Sequence, residues 1–223
     1  MKIQLFILLS LLSSTAFAAD QKLPLEITAD KALEWNQTDK TYVARGKAVA
    51  TQGELSVKAD TLTATYAGAN GNTSDIILLT ADGNVTLTSG ANVATGDKAV
   101  YDLVTGQAVL SGTRPKIVQE GKNTLEADKV TVWTKNNVLD HAEADGNVVI
   151  VSSEQKATGN KATYNAVTNT AELIGQVKVT QGPNILEGDK AEMDLTTHVS
   201  KMVSADSSKR VKGVFFTNTK KKD

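Results

Sequence analysis

The sequence predicts an all-β fold assembled from repeated strand pairs, and three observations carry the prediction. Apolar and polar residues alternate with period two, as in residues 157–166, where Ala162, Tyr164 and Ala166 fall on one face and Lys161, Thr163 and Asn165 on the other. The preceding run, residues 146–151, is rich in β-branched side chains that suit a pleated surface. A strand-turn-strand unit of this kind recurs along the chain, and helical periodicity is absent beyond residue 18.

The second half of the unit recurs as Ala29-Asp30-Lys31-Ala32, Ala59-Asp60-Thr61-Leu62, Gly96-Asp97-Lys98-Ala99, Ala127-Asp128-Lys129-Val130, Gly159-Asn160-Lys161-Ala162 and Gly188-Asp189-Lys190-Ala191. The first half recurs around Gly46, Gly83, Gly146 and Gly175, and Gly112 opens a variant. One such unit holds too little apolar surface to fold alone, so neighbours must stack and share a core. The glycine permits a positive φ where the chain enters a strand. The Asp-Lys pair reads as structural: Asp forms a turn by bonding its own backbone, and Lys stays on the solvent side. Positions two, four and six after each Asp or Asn form inward columns, for example Leu62, Ala64 and Tyr66, or Ala191, Met193 and Leu195. The first copy is out of step, because Leu33 and Trp35 sit one position late, and a bulge is expected there.

Taken in order, residues 1–18 form a secretory signal peptide: a short apolar run ends at the A-x-A site Ala16-Phe17-Ala18. The mature chain is expected to start at Ala19, with one domain over 19–216 and a Lys-rich, mobile tail over 217–223. Residues 22–28 alternate Leu23, Leu25 and Ile27 around Pro24, which fits an edge strand. Trp35 and Tyr42 flank a polar turn, and strands follow over 43–50, 54–59 and 62–66. Residues 67–74 are a Gly/Asn loop inserted between strands. Val130 and Val132 share one face, with Trp133 on the other, and residues 211–216 suit a last strand.

Composition narrows the function. A net charge of −1 exerts no long-range pull on nucleic acid or anionic membranes. There is no Cys, hence no disulfide, no thiol nucleophile and no lipidated N-terminal Cys. Aromatics make up only 4% of the chain, which suits a thin, regular stack rather than a thick core. Of the two histidines, His141 stands beside Asp140 and near Glu143, and reads as a surface His in a polar turn; His198 belongs to another unit. No Ser lies in a nucleophile-elbow context. The expectation is a non-enzyme with no cofactor, no metal and no catalytic residue.

Two runs, G-[ND]-V-x-[LI] at residues 83–87 and 146–150, and [GA]-[DN]-K-[AV]-x-Y-[DN] at 96–102 and 159–165, resemble the OstA-like family. Thr61 replaces the motif Lys in one copy and Met193 the Tyr in another. The resemblance spans nearly all of the expected mature chain. It implies an incomplete antiparallel β-jellyroll, a V-shaped stack of two sheets open along one side. It further implies a periplasmic carrier of lipopolysaccharide that holds acyl chains in an apolar groove. Such a carrier would assemble head-to-tail with itself, with an inner-membrane-anchored LptC-like protein and with an outer-membrane LptD-like translocon.

Candidate groove residues follow from the inward columns: Leu25, Ile27, Leu62, Val85, Leu87, Ala99, Tyr101, Leu103, Val130, Val148, Ile150, Ala162, Tyr164, Met193 and Leu195. The same residues could instead simply pack two sheets together. Free strand edges are expected near residues 23–28 and 201–216, ready for strand addition. Two other readings stay open: an enzyme centred on His141, and a secreted β-solenoid-like structural or adhesion protein. The uneven spacing of the motif, at positions 30, 60, 97, 128, 160 and 189, argues against a strict solenoid.

Overall fold

The computed structural model describes residues 25–68, 75–120, 123–135, 138–197, 199–205 and 210–216. The signal peptide, most of the 67–74 loop, the Lys-rich tail and His198 therefore lie outside the described residues. Sixteen antiparallel strands occur among those described. The first eight are β1 (Glu26–Thr28), β2 (Ala32–Asn36), β3 (Thr41–Gln52), β4 (Leu55–Ala67), β5 (Asp75–Ser89), β6 (Asn92–Asp102), β7 (Gln107–Ser111) and β8 (Lys116–Gln119). The second eight are β9 (Asn123–Glu126), β10 (Lys129–Lys135), β11 (Val138–Val151), β12 (Lys156–Asn165), β13 (Thr170–Gln181), β14 (Asn184–Asp194), β15 (Val199–Val203) and β16 (Lys212–Val214). A β-solenoid would stack its coils in parallel, so the antiparallel hairpins remove that reading.

The long strands span two layers. One layer runs β2-β3-β4-β5-β6-β7-β10-β11-β12-β13-β14-β15. The other borrows the remaining halves of the long strands and runs β1-β3-β4-β5-β6-β8-β9-β11-β12-β13-β14-β16. We call these the upper and lower layers. The strand path ends at unpaired edges instead of closing, which makes an incomplete, jellyroll-like β fold. The second set of eight strands repeats the first. β3 pairs with both β1 and β2, as β11 pairs with β9 and β10; β6 pairs with β7 and β8, as β14 pairs with β15 and β16.

The repeated Gly is the hinge between layers. At Gly83 (φ +80) and Gly146 (φ +77) two consecutive residues take positive φ, with Asn84 at 50° and Asn147 at 46°. The pairing shifts there, between Asp82 and Val85 and between Asp145 and Val148. A glycine bulge bends its strand and tightens its twist. The repeated acid serves this hinge. Asp60 Oδ2 accepts from Asn84 Nδ2 (2.8 Å), and Asp128 Oδ2 from Asn147 Nδ2 (2.9 Å). Each carboxylate lies where a Cβ on the glycine would go. Asp97 likewise accepts the backbone N–H of Thr113 (2.5 Å), and Asp189 that of Ala205 (3.0 Å).

Two expectations are corrected here. The Asp caps the bulge of a neighbouring strand rather than its own turn, because the hinge leaves polar groups that only a residue across the ladder can reach. The offset of the first copy also arises at the hinge: Lys31, not Asp30, lies over Gly46. Leu33 then falls opposite Ala44 and Trp35 opposite Tyr42, without a register shift along β2.

Candidate apolar groove

Alternation along each strand aims every second residue between the layers, and the pairing lines these up into rows that run from strand to strand. In the upper layer, the row beside the hinge holds Leu62, Ala99, Val130 and Ala162. The next row outward holds Tyr101, Tyr164 and Met193, with Ala64 before Tyr101 and Val132 and Ala142 between the tyrosines. Leu103 and Leu195 continue these columns at the outer lip. Their N–H groups bond the carbonyls of Ile77 (2.9 Å) and Asn169 (3.0 Å).

The lower layer places Val85 and Val148 beside the hinge and Ile27, Leu87 and Ile150 in the middle row. Leu25 precedes β1 at the N-terminal edge. One core cluster draws on both layers, so most candidate residues do pack the sheets together. Its centre is sealed, with Leu125 and Leu173 at 0% exposure. Burying a Leu of this kind stabilises the fold by about 1.5–3 kcal/mol.

The seal is uneven along the stack. In the first repeat the middle row of the lower layer is half-buried at Val57, Leu87 and Ala94 and buried at Ile117. In the second repeat the same row is buried at Leu125, Ile150, Ala157 and Val179 and half-buried at Leu186. Ile150 is thus a core residue, while Leu87, Tyr101 and Leu103 border the accessible part. At the N-terminal end Trp35 stacks on Tyr42 (5.9 Å) and donates Nε1–H to the Tyr66 hydroxyl (3.0 Å). Trp35 and Leu33 are more than half exposed there, on a strand with one free edge.

The outer face carries the charge. Lys161 bonds Glu143 (2.7 Å) and Lys190 bonds Glu172 (2.7 Å) across strands, and these hydrogen bonds raise both lysine pKa values. The Arg114 guanidinium bonded to Glu126 (2.8 Å) lowers that carboxyl. Burial raises the Tyr164 phenol, whose hydroxyl donates to Asn169 Oδ1 (3.2 Å). His141 lies inside β11 instead of in a turn. Its ring stacks on Trp133 (4.3 Å) and bonds Asp140 (2.6 Å), on the face away from the groove. Its neighbours Glu143 and Asp140 are held within cross-strand and local pairs, and no group of metal-binding side chains forms among the described residues.

One feature went unread in the sequence. At the free lip of the lower layer, the inward position next to each hairpin turn is usually an amide or a hydroxyl: Gln52, Ser89 and Asn92, Gln119 and Asn123, Ser152 and Gln155, Gln181 and Asn184. The signal was available, since these residues flank the Gly-containing or polar turns at the end of apolar runs.

Two tandem matches decide the family. The model described as "LptA/(LptD N-terminal domain) LPS transport protein" matches residues 26–118 and again 116–199. The boundary between the matches falls at β8, where the structural repeat also turns over. The chain belongs to this LptA/LptD N-terminal-domain family of lipopolysaccharide transport proteins. A curated relative from Rhizobium meliloti (strain 1021), the uncharacterized protein R00383, is 28% identical over 113 residues, 49% of this chain and 60% of that protein. The chain thus spans about three fifths of that relative. A solved structure is described as LptH, the LptA homologous periplasmic component of the conserved lipopolysaccharide transport device from Pseudomonas aeruginosa. It is 17% identical, covers 87% of this chain and 96% of its own, and has a TM-score of 0.27. That likeness is too distant to bear on geometry.

Proposed function

We propose that this chain is a periplasmic, LptA-like bridge that holds the acyl chains of lipopolysaccharide between its two layers and hands them along a row of stacked copies. The observation that carries the reading is the set of apolar rows running without interruption through both repeats to free edges. No reacting group is needed. Each methylene withdrawn from water contributes about 0.8 kcal/mol, so a chain of a dozen carbons gains roughly 10 kcal/mol gross. A smooth lining of Ala, Val and Leu offers no single deep pocket, which favours onward movement. Export to the periplasm follows from the apolar start and the A-x-A site.

The internal repeat supports head-to-tail assembly and supplies its register. β7 joins β10 with Leu110 opposite Val130 and Ala108 opposite Val132. β15 occupies the place of β7 and β2 that of β10. A second copy added the same way sets Met202 opposite its Leu33 and Ser200 opposite its Trp35, covering both exposed side chains. In the lower layer, a contact copied from the β8–β9 pairing of Ile117 with Leu125 would bring Gly213 opposite Ile27 of the next copy. Such heterologous contacts extend as filaments. An LptC-like protein at one end and an LptD-like translocon at the other would use the same edges.

Photocrosslinking in cells tests the reading. A crosslinker at Leu87 or Leu103 should capture lipopolysaccharide, and one at Lys58 on the outer face should not. Equal capture from all three positions, or none from Leu87 and Leu103 in folded, exported protein, refutes it.

A further inference from the structure

The two lips of the groove differ in chemistry. The upper lip is mostly apolar, with Leu103, Leu139 and Leu195, and its amide, Asn169, already bonds the Tyr164 hydroxyl (3.2 Å) and Thr196 (3.1 Å). The lower lip is the row of amides and hydroxyls beside the hairpin turns. Turn-flanking polar residues are ordinarily solvated, but this row is partly withdrawn from water. Among the described residues only three polar or charged side chains are buried, and two of them, Gln119 (8% exposed) and Gln155 (6%), belong to this lip. Asn92, across from Gln119 by the β6–β8 register, has a buried Oδ1 with no hydrogen-bond partner. A buried amide oxygen without a partner is costly, and a ligand group could supply one.

Resting on the bridge reading, we propose that this amide lip is a neutral hydrogen-bonding rail for the linkage region of the lipid, the band of amide, ester and hydroxyl groups where acyl chains join the sugar. The spacing fits. The lip row lies two residues beyond the apolar middle row along each strand, about 7 Å at the usual rise. A chain lying against Leu87, Ala94 and Ile117 therefore brings its attachment point level with Asn92 and Gln119. Amide side chains both donate and accept, so they match a linkage that presents both kinds of group. They carry no charge, so a lipid moving from one strand pair to the next exchanges one neutral contact for another and leaves no desolvated ion behind. The upper lip, mostly apolar and with its amide already bonded, faces chain rather than linkage. The lipid is thereby oriented, with its sugar at the lower-layer turns.

The test uses the full exported chain and two probes, purified lipopolysaccharide and a fluorescent long-chain fatty acid that lacks the amide and sugar. Asn92→Leu and Gln155→Met are compared with the wild type by equilibrium binding, with thermal unfolding as a check of the fold. The expected result is a loss of about tenfold in lipopolysaccharide affinity, as for one or two hydrogen bonds, with fatty-acid affinity unchanged. Unchanged lipopolysaccharide affinity, or equal losses for both probes, overturns the rail and leaves the bridge standing. A wild type that binds neither probe overturns both. Should Gln155→Met fail to fold, Asn92→Leu and the exposed Gln52→Leu carry the comparison.

Discussion

Replacing Gly175 by Ala tests the hinge. Gly175 has φ +82, and an ideal Cβ there would stand 2.6 Å from Asn160 Nδ2 and 2.9 Å from Asn160 Cβ. Two penalties add. An L side chain in the left-handed region costs about 1–2 kcal/mol, and forcing a methyl against a packed neighbour costs about 1–3 kcal/mol. Gly175→Ala should therefore lose roughly 2–5 kcal/mol. Gly182 is an internal control: its φ is +54, but nothing lies within 4 Å of its ideal Cβ. Gly182→Ala should lose only the conformational part, about 1–2 kcal/mol. Removing the obstructing side chain with Asn160→Gly should relieve the contact but not the strain. The double variant should then show a coupling of about 1–3 kcal/mol. The assay is urea unfolding, with midpoints compared at constant slope. Equal losses at Gly175 and Gly182, or strict additivity in the double variant, would refute the idea that the Asn or Asp of one strand packs over the glycine bulge of the next.

Core packing predicts that Leu173→Ala, at a fully buried site, costs about 2–5 kcal/mol, whereas Leu87→Ala at a half-buried site costs distinctly less; denaturant midpoints would show the order. Stability should fall at acid pH, because the Thr113 N–H lowers the Asp97 pKa and Arg114 lowers that of Glu126 from their ordinary carboxylate values. Such depressed carboxylates stabilise the fold above their unfolded pKa values, and the contribution disappears as pH falls through the folded ones. Asp97→Asn should flatten the acid limb of a melting-temperature profile. The raised pKa of Lys161 and Lys190 gives the opposite limb, present below about 10.4 and lost as pH rises through the folded values. Lys161→Met, at a pair about one-third exposed, should shift stability by no more than about 1 kcal/mol. On the proposed head-to-tail reading, Trp35→Asp should weaken self-association in sedimentation relative to the wild type.

Much of the fold was legible because strand alternation is a local signal. The inward columns at Leu62, Ala99, Ala162 and Ala191 were read correctly from spacing alone, as was the placement of Trp133 opposite to Val130 and Val132. Strand length was not legible. Gly83 looked like the start of a strand, yet β5 runs through it, because a bulge bends the ladder without ending it. The partner of the repeated Asp was likewise hidden, since it lies across the ladder in the next strand. His141 was misplaced for a related reason: the polar residues around it lie on the solvent face of a strand, and local polarity reads as a turn. The candidate groove residues share inward rows, but the sequence does not separate the buried Ile150 from the half-buried Leu87. Both share a row, and burial alone distinguishes them.

That difference along one row bears on how a bridge could work. In the second repeat, acyl chains can enter between the layers only if Leu125, Ile150, Ala157 and Val179 give up contacts with the layer above. Parting them alone would expose apolar surface at about 25 cal/mol per Å². A chain that slides in covers the same surface with methylenes, so the cost of parting is recovered as it is incurred. The hinge makes this affordable in structural terms, because each long strand bends at its own bulge and the two layers are joined there rather than at their lips. On the proposed bridge reading, the half-buried stretch around Leu87 would receive a chain before the more closely packed stretch around Val179. Crosslinker captured at Leu87 in every lipid-loaded sample, and at Val179 only when loading is high, is the pattern this order requires. Capture at Val179 that precedes capture at Leu87 would reverse the direction of filling within one copy.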